Sequence, residues 1–254
     1  MDITKKKIIK HLKDLKINKS DHILIYSKLS SFGILDKNFA KYFLEILTNY
    51  IGPNGTIIMP SYTFENQKFI FNLKKLKANY STSILVKEFF KKEIIRSKRL
   101  IHSHIGLGKK SNILKKKIDS KITLGKNSDF DIMTKNNFKC VYLGCNPEEA
   151  GTFLIHLEYF NNVPYRKKIL ISKKIIEKNI VKVIKVNYFD RPKYLNYDFN
   201  KAFNQIRKIG AKVKYAELKF GSSFCLSLKD FLKYGNIMFK KNRYILVKNA
   251  KKNI

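Results

Sequence analysis

The sequence predicts an α/β protein with three αβα layers around a largely parallel or mixed central sheet. Residues 22–26 and 55–60 are short apolar runs rich in β-branched side chains, and residues 36–51 between them have apolar positions at helical spacing. A strand, a helix and a strand at this spacing form a right-handed βαβ unit, in which parallel strands are buried on both faces. No linker or internal repeat interrupts the chain, so we expect a single domain over residues 1–254.

The remaining elements follow in chain order. Residues 3–17 carry Ile and Leu on one face and Lys on the other, which predicts an amphipathic helix packed on the body. Residues 63–80 lack periodicity and are predicted to be a loop on the substrate side. The other predicted elements are helices over residues 83–92, 149–160 and 199–208, a strand over 138–144, a half-exposed hairpin over 168–188, a strand over 213–218 and a final helix opened by Ser227.

The chain is strongly basic, with 53 Lys and Arg against 19 Asp and Glu and a net charge of +34. Such a charge is typical of nucleic-acid-binding proteins. The Lys residues are spread over the whole chain, however, and accompany abundant Ile, Asn, Phe and Tyr without Trp, as expected from A- and T-rich codons. No recognition-helix, zinc-finger or RNP pattern is present. We therefore expect no specific nucleic-acid partner.

Cysteine usage and hydropathy narrow the class of protein further. Three Cys (Cys140, Cys145 and Cys225) give neither an even disulfide framework nor a CxxC pair, so neither disulfides nor a metal site is expected. No run approaches the ~20 apolar residues that span a bilayer, and the N-terminus has no secretory segment. These features predict a cytoplasmic protein with no membrane partner, and a homo-oligomer is compatible with them.

The most informative stretch is residues 141–166, VYLGCNPEEAGTFLIHLEYFNNVPYR. A predicted strand runs through a Gly-containing turn into a predicted helix, a favoured place for an active site in α/β proteins. His156 lies on that helix among acids. By itself this pattern also fits an ordinary buried His.

Five motifs occur in one order along the chain: YSKLSSFG, GPNGTIIMPSYTF, RSKRLIHSHIGLG, LGKNSDF and the 141–166 stretch. Together they resemble the aminoglycoside 3-N-acetyltransferase family. The resemblance implies an antibiotic N-acetyltransferase-like fold, an acetyl-CoA cosubstrate with no metal, and a small-molecule amine as acceptor.

The resemblance also implies cofactor-binding residues. In YSKLSSFG these are Ser27, Lys28, Leu29, Ser30 and Ser31, which would contact the CoA pyrophosphate and pantetheine arm. In the later motifs they are Arg96, His102, Ser103, Ser128 and Phe130. The chain departs from the family pattern at several points: Tyr26 replaces a His, Lys28 a Ser, Arg99-Leu100 a His-Pro and Asp129 a Pro. Considered alone, each segment also fits a solvated polar turn.

The implied catalytic pattern resembles Thr-x-x-His-x-x-Glu, in which the His takes the amine proton. Thr152 and Glu158 hold the spacing, but Ile155 occupies the His position and His156 follows it. On a regular helix His156 and Glu158 diverge. We therefore expect a one-residue bulge that turns His156 inward, or another acid that orients it, with loss of the base as the alternative.

Charge favours a particular acceptor. A basic surface repels polycationic aminoglycosides and attracts an amino sugar carried on a nucleoside diphosphate. The sequence thus predicts an acetyl-CoA-dependent N-acetyltransferase acting on an amino sugar in surface-glycan synthesis. The alternatives are aminoglycoside acetylation in antibiotic resistance, a non-catalytic protein that keeps the CoA fold, and a nucleic-acid-binding protein.

Overall fold

The structure, a computed structural model, describes residues 4–33, 36–63, 70–72, 83–115, 119–177, 179–192 and 194–248. Its helices are α1 (Lys5–Asp14), α2 (Phe39–Ile51), α3 (Ile84–Phe89), α4 (Asp129–Lys135), α5 (Pro147–Ala150), α6 (Thr152–Phe160), α7 (Phe199–Ile209) and α8 (Leu228–Lys241). Its strands are β1 (His22–Ser27), β2 (Thr56–Pro60), β3 (Phe71–Asn72), β4 (Ile95–Arg96), β5 (His104–Gly108), β6 (Lys139–Leu143), β7 (Lys168–Glu177), β8 (Ile180–Phe189), β9 (Lys214–Leu218) and β10 (Gly221–Ser227).

The central sheet has seven strands in the order β4-β5-β2-β1-β6-β10-β9. The neighbours β2, β1 and β6 run parallel, whereas β5 joins β2 and β10 joins β6 in antiparallel pairs. Of the two sheet types that the sequence predicts, the mixed one is therefore present. Parallel pairing is limited to β2, β1 and β6 in the middle of the sheet, and the strands on either side of them pair antiparallel.

The two faces of the sheet carry separate cores, as strand alternation requires. Ile23, Ile25 and Val141 point to the face that α1, α2 and α3 cover. Leu24 and Tyr142 point to the opposite face, which α4, α6, α7 and α8 cover. This arrangement confirms the three-layer αβα architecture.

The predicted hairpin is confirmed. Strands β7 and β8 pair over their whole length from Lys168 opposite Phe189 to Glu177 opposite Ile180, and β3 adds a parallel third strand. One face of this small sheet packs on Leu100 and Ile101. Apart from residues 63 and 70–72, the predicted substrate-side loop over 63–80 lies outside the described residues.

The helices predicted over 3–17 and 83–92 are shorter than expected, and two further predictions differ for an identifiable reason. Helix α2 begins at Phe39 rather than Asp36, because the Asp36 carboxylate accepts a hydrogen bond from the Asn38 N–H, 2.6 Å away, in a turn before the helix. The helix expected over 149–160 is divided into α5 and α6 at Gly151. A Cβ there would lie 2.5 Å from the Pro147 carbonyl oxygen, so this tight junction requires glycine. None of the described helices is long and apolar enough to cross a membrane.

Candidate active site

A cavity of about 500 Å³ opens where the carboxyl ends of β2, β1 and β6 meet. Because these strands are parallel neighbours, the loops that follow them converge at one edge of the sheet. The cavity is lined by residues 27–30 after β1, Tyr62 after β2, and Glu149 and Thr152 after β6. Its size is within the range of small-molecule sites.

The loop after β1 is anchored to the end of β6. The Lys28 N–H donates to the Leu143 carbonyl at 2.9 Å, and the Ser31 hydroxyl donates to the Gly144 carbonyl at 2.5 Å. Gly144 has φ of 67°, and a Cβ there would lie 2.6 Å from the Lys28 carbonyl oxygen. Glycine thus allows this close approach, which holds Lys28 and Ser30 at the cavity while Ser31 is buried as a structural contact.

Two tyrosines form one wall of the cavity. The hydroxyls of Tyr26 and Tyr62 lie 3.3 Å apart, and Tyr62 also hydrogen-bonds to the Thr152 side chain. Burial raises the pKa of both tyrosines, so both are neutral hydroxyls at physiological pH. Burial likewise raises the pKa of the nearby Cys145 thiol to about 12, which makes it a poor nucleophile.

Lys28 and Glu149 form an ion pair at the cavity, with Nζ and Oε1 2.5 Å apart. Of the lining residues that the structure describes, these are the only ammonium and the only carboxylate. The hydrogen bond from Lys28 to Glu149 raises the pKa of Lys28. The second Glu149 oxygen accepts the Asn146 N–H at 3.1 Å in a capping box, which fixes the carboxylate at the start of α5.

His156 is fully buried in the core and does not line the cavity. Its Nδ1 accepts the Gly125 N–H at 3.2 Å, and its ring packs against Phe130 and Phe160. Burial, together with the neighbouring His102 and His104, lowers its pKa to about 3. Helix α6 is a regular α-helix throughout, so the expected bulge is wrong.

Glu158 does not orient His156. Its Oε1 accepts the Tyr165 hydroxyl at 2.7 Å, and its Oε2 lies 2.7 Å from the Arg166 Nε in a buried ion pair. Burial raises the Glu158 pKa, and the Arg166 charge offsets part of this shift. Of the three predicted catalytic residues, only Thr152 therefore lines the cavity, because a regular helix directs the other two into the core.

The side chains predicted to bind the cofactor in the RSKRLIHSHIGLG motif also point into the protein interior. Arg96 Nη2 donates to the Ser61 carbonyl at 2.8 Å and to the Ser103 hydroxyl at 3.0 Å, while His102 and Ser103 are buried. The Ser128 hydroxyl caps α4 by accepting the Asp131 N–H. Phe130 is a fully buried core residue. None of these five residues lines the described cavity, which three of the five motifs reach: YSKLSSFG, GPNGTIIMPSYTF and the 141–166 stretch. Their role in binding the cofactor stays a prediction.

Sequence reasoning missed Glu149 and Tyr62 as cavity residues. Glu149 belongs to the capping box of α5, so its place in the sequence indicates a helix start rather than a site. A usable signal was present in both cases, since each residue follows the end of a strand of the parallel core.

Comparisons with known proteins identify the family and the fold of the chain. The family model described as aminoglycoside 3-N-acetyltransferase matches residues 24–240. The crystal structure of YokD protein from Bacillus subtilis is 20% identical with a TM-score of 0.80, and the match covers 95% of this chain and 100% of that one. The apoenzyme of aminoglycoside acetyltransferase AAC(3)-IVa is 16% identical with a TM-score of 0.81, over 100% and 94% of the two chains.

A third similar structure, AAC-IIIb in a binary complex with CoASH, is 16% identical with a TM-score of 0.79, over 94% of this chain and 97% of that one. At these identities the structures show a shared fold. No match was found among curated protein sequences.

Proposed function

The chain belongs to the aminoglycoside 3-N-acetyltransferase family, whose members are acyltransferases that use acetyl-CoA, and from this premise we propose that the cavity beside Lys28 and Glu149 acetylates an aminoglycoside amine. The observation that carries the proposal is the composition of the cavity wall. It combines hydroxyl and ammonium donors suited to phosphate with one carboxylate suited to an ammonium group.

Donors for the cofactor lie on the loop after β1. Ser30 and Lys28 are exposed at the cavity, and Ser27 is half-buried beside them. Phosphate groups bind to such hydroxyl and ammonium donors. Acetyl-CoA supplies the activated acetyl thioester, and these three residues hold its phosphates and arm at the carboxyl end of β1.

Glu149 acts on the acceptor. Its carboxylate binds the ammonium group and takes one of its protons, which gives the nitrogen the lone pair that attacks the thioester carbonyl. As the C–N bond forms and the C–S bond breaks, the nitrogen's second proton goes to the leaving thiolate, which departs as the free thiol. The neutral hydroxyls of Tyr62 and Thr152 are donors for the oxygen on which negative charge develops. We propose Glu149 in place of His156 as the proton acceptor, because His156 has no contact with the cavity.

The family supports an aminoglycoside acceptor better than the amino sugar that net charge favours. One of the similar structures, at 17% identity and a TM-score of 0.79, is a complex of AAC(3)-IVa with a gentamicin. The positive charge of this protein repels a polycation, but salt screens that repulsion beyond about 8 Å at physiological ionic strength. A carboxylate inside the cavity is therefore sufficient to bind one ammonium group of the acceptor.

The test is an acetylation assay with acetyl-CoA and two sets of acceptors, aminoglycosides and nucleotide-linked amino sugars. Free thiol release and the mass of the product are measured. We expect acetylated aminoglycoside and little acetylation of the nucleotide sugars. Glu149→Gln should abolish most turnover, whereas Glu148→Gln on the same short helix should not, because Glu148 binds the Asn200 N–H instead. Acetylation of the nucleotide sugars alone would reverse the choice of acceptor, and failure to bind CoA would reject the enzyme function.

A further inference from the structure

We propose that the Lys28–Glu149 ion pair couples the two substrates: Lys28 moves from Glu149 to the phosphates of CoA, and the released carboxylate then binds the acceptor ammonium. This inference rests on the proposed function and adds to it a coupling between the binding of the two substrates.

Lys28 and an acceptor ammonium group compete for the same carboxylate oxygen of Glu149. The Glu149 Oε1 lies 2.5 Å from the Lys28 Nζ, so the lysine occupies the oxygen that an acceptor ammonium would need. A cationic acceptor that reaches the free protein must displace Lys28 or bind beside it. An anionic cofactor, in contrast, offers Lys28 a second partner.

The Lys28 side chain can move while its main chain stays in place. The main chain of Lys28 is held by its N–H bond to Leu143, and the loop is held by Ser31. The Lys28 side chain is about half exposed, at 52%, and its partner is 38% exposed. A flexible four-carbon stem can therefore change partners without any movement of the backbone.

The free energy needed to break this ion pair is small. Exposed ion pairs contribute little, so breaking this one changes an equilibrium by no more than about fivefold. A pyrophosphate carries more charge than one carboxylate and can displace it. Because linkage is reciprocal, CoA should tighten acceptor binding by the same factor, about two- to fivefold, by which the acceptor tightens CoA binding.

Isothermal titration of CoA and of the acceptor that is acetylated fastest in the panel above, each alone and in the presence of the other, tests the proposal. In the wild-type protein each ligand should tighten the other about two- to fivefold. In Lys28→Met this factor should fall to about one, and the acceptor should bind the CoA-free variant more tightly than it binds the wild type. Lys28→Arg should retain the coupling.

Glu149→Gln gives the complementary result, since glutamine preserves the capping box at this position. CoA affinity should be unchanged or rise, while acceptor affinity falls. A merely structural Glu149 would weaken both ligands together. Lys10→Met, which removes one charge from an exposed pair on α1, and Glu148→Gln are the matched controls and should keep the wild-type coupling.

Undiminished coupling in Lys28→Met, or a loss of CoA affinity in Glu149→Gln with acceptor binding intact, would overturn the inference. If both ligands bind and react but show no coupling in the wild type, the inference fails and the proposed function survives. If CoA does not bind the wild type, the proposed function fails as well.

Discussion

Arg99 and Asp129 form a buried ion pair, with the Arg99 Nε 2.9 Å from the Asp129 Oδ1 and both side chains at most 4% exposed. Each residue replaces a different one in the family pattern, a His and a Pro respectively. The ion pair thus joins two positions, 30 residues apart, at which the chain departs from the pattern it resembles. The other Asp129 oxygen accepts a hydrogen bond from the His104 Nδ1 at 3.0 Å, so the pair also fixes the orientation of that ring.

Removing one member of this pair should be costly. Asp129→Asn leaves the Arg99 charge buried without its counterion, and we expect a loss of about 3–5 kcal/mol in the free energy of unfolding. Arg99→Met combined with Asp129→Asn should lose clearly less than the sum of the two single changes. Urea unfolding of the wild type, both single variants and the double variant measures this, and additive losses would show that the two residues do not interact energetically.

His156→Ala should reduce stability rather than chemistry. The change removes a buried ring packed among phenylalanines and leaves the Gly125 N–H without its acceptor, which should lower the free energy of unfolding by about 2–4 kcal/mol. Turnover of the folded fraction should change less than about tenfold, and a loss of kcat of about 100-fold at an unchanged melting temperature would restore His156 as the catalytic base.

Glu158→Gln should also destabilise the fold, because it leaves the buried Arg166 charge without its carboxylate. We expect a loss of about 3–5 kcal/mol in the free energy of unfolding, with kcat of the folded protein retained. The matched control is Tyr165→Phe, which removes only the hydroxyl that donates to Glu158 and should lose about 1 kcal/mol. Equal losses in the two variants would contradict a charge-based explanation.

Stability should fall steeply in mild acid. Burial lowers the pKa of His11 to about 4 and the pKa values of His102 and His156 to about 3, whereas the unfolded chain titrates near 6.5. Below about pH 6.5 the unfolded state therefore binds protons that the folded state does not, and stability is lost as the pH falls. With three such groups the slope approaches about 4 kcal/mol per pH unit near pH 5. Urea unfolding between about pH 7.5 and 5 measures the slope, and a flat profile would exclude neutral buried imidazoles.

Salt dependence distinguishes the two classes of acceptor. With acetyl-CoA saturating, kcat/KM for an aminoglycoside should rise as ionic strength increases from about 0.01 to 0.15 M, because screening reduces the repulsion from a protein of charge +34. A nucleotide-linked amino sugar should show the opposite trend. A fall in kcat/KM for the aminoglycoside would mean that local acidic groups outside the described cavity govern its approach.

The sequence predicted the location of the site better than its residues. The βαβ pattern correctly put the loop of Ser27 to Ser30 at the carboxyl edge of the sheet, because a crossover helix between two neighbouring strands makes them parallel. His156 is one residue further along α6 than the position expected for the base. One residue turns the side chain by about 100° around the helix axis, which is enough to direct it into the core rather than into the cavity. Likewise the Arg96 side chain points into the protein because it hydrogen-bonds to Ser61 and Ser103. No local pattern in the sequence identifies these two partners.

The order of strands in the central sheet has a consequence for synthesis on the ribosome. Strand β1 pairs with β2 on one side, but its other neighbour, β6, is translated only at residues 139–143, and β6 in turn waits for β10 at residues 221–227. A nascent chain therefore presents the apolar edge of β1, and then that of β6, until the end of the chain emerges. Such open edges pair readily with other chains. Fragments that end before residue 221 should consequently accumulate as aggregates or chaperone clients, and slower growth at low temperature should improve the yield of the intact protein.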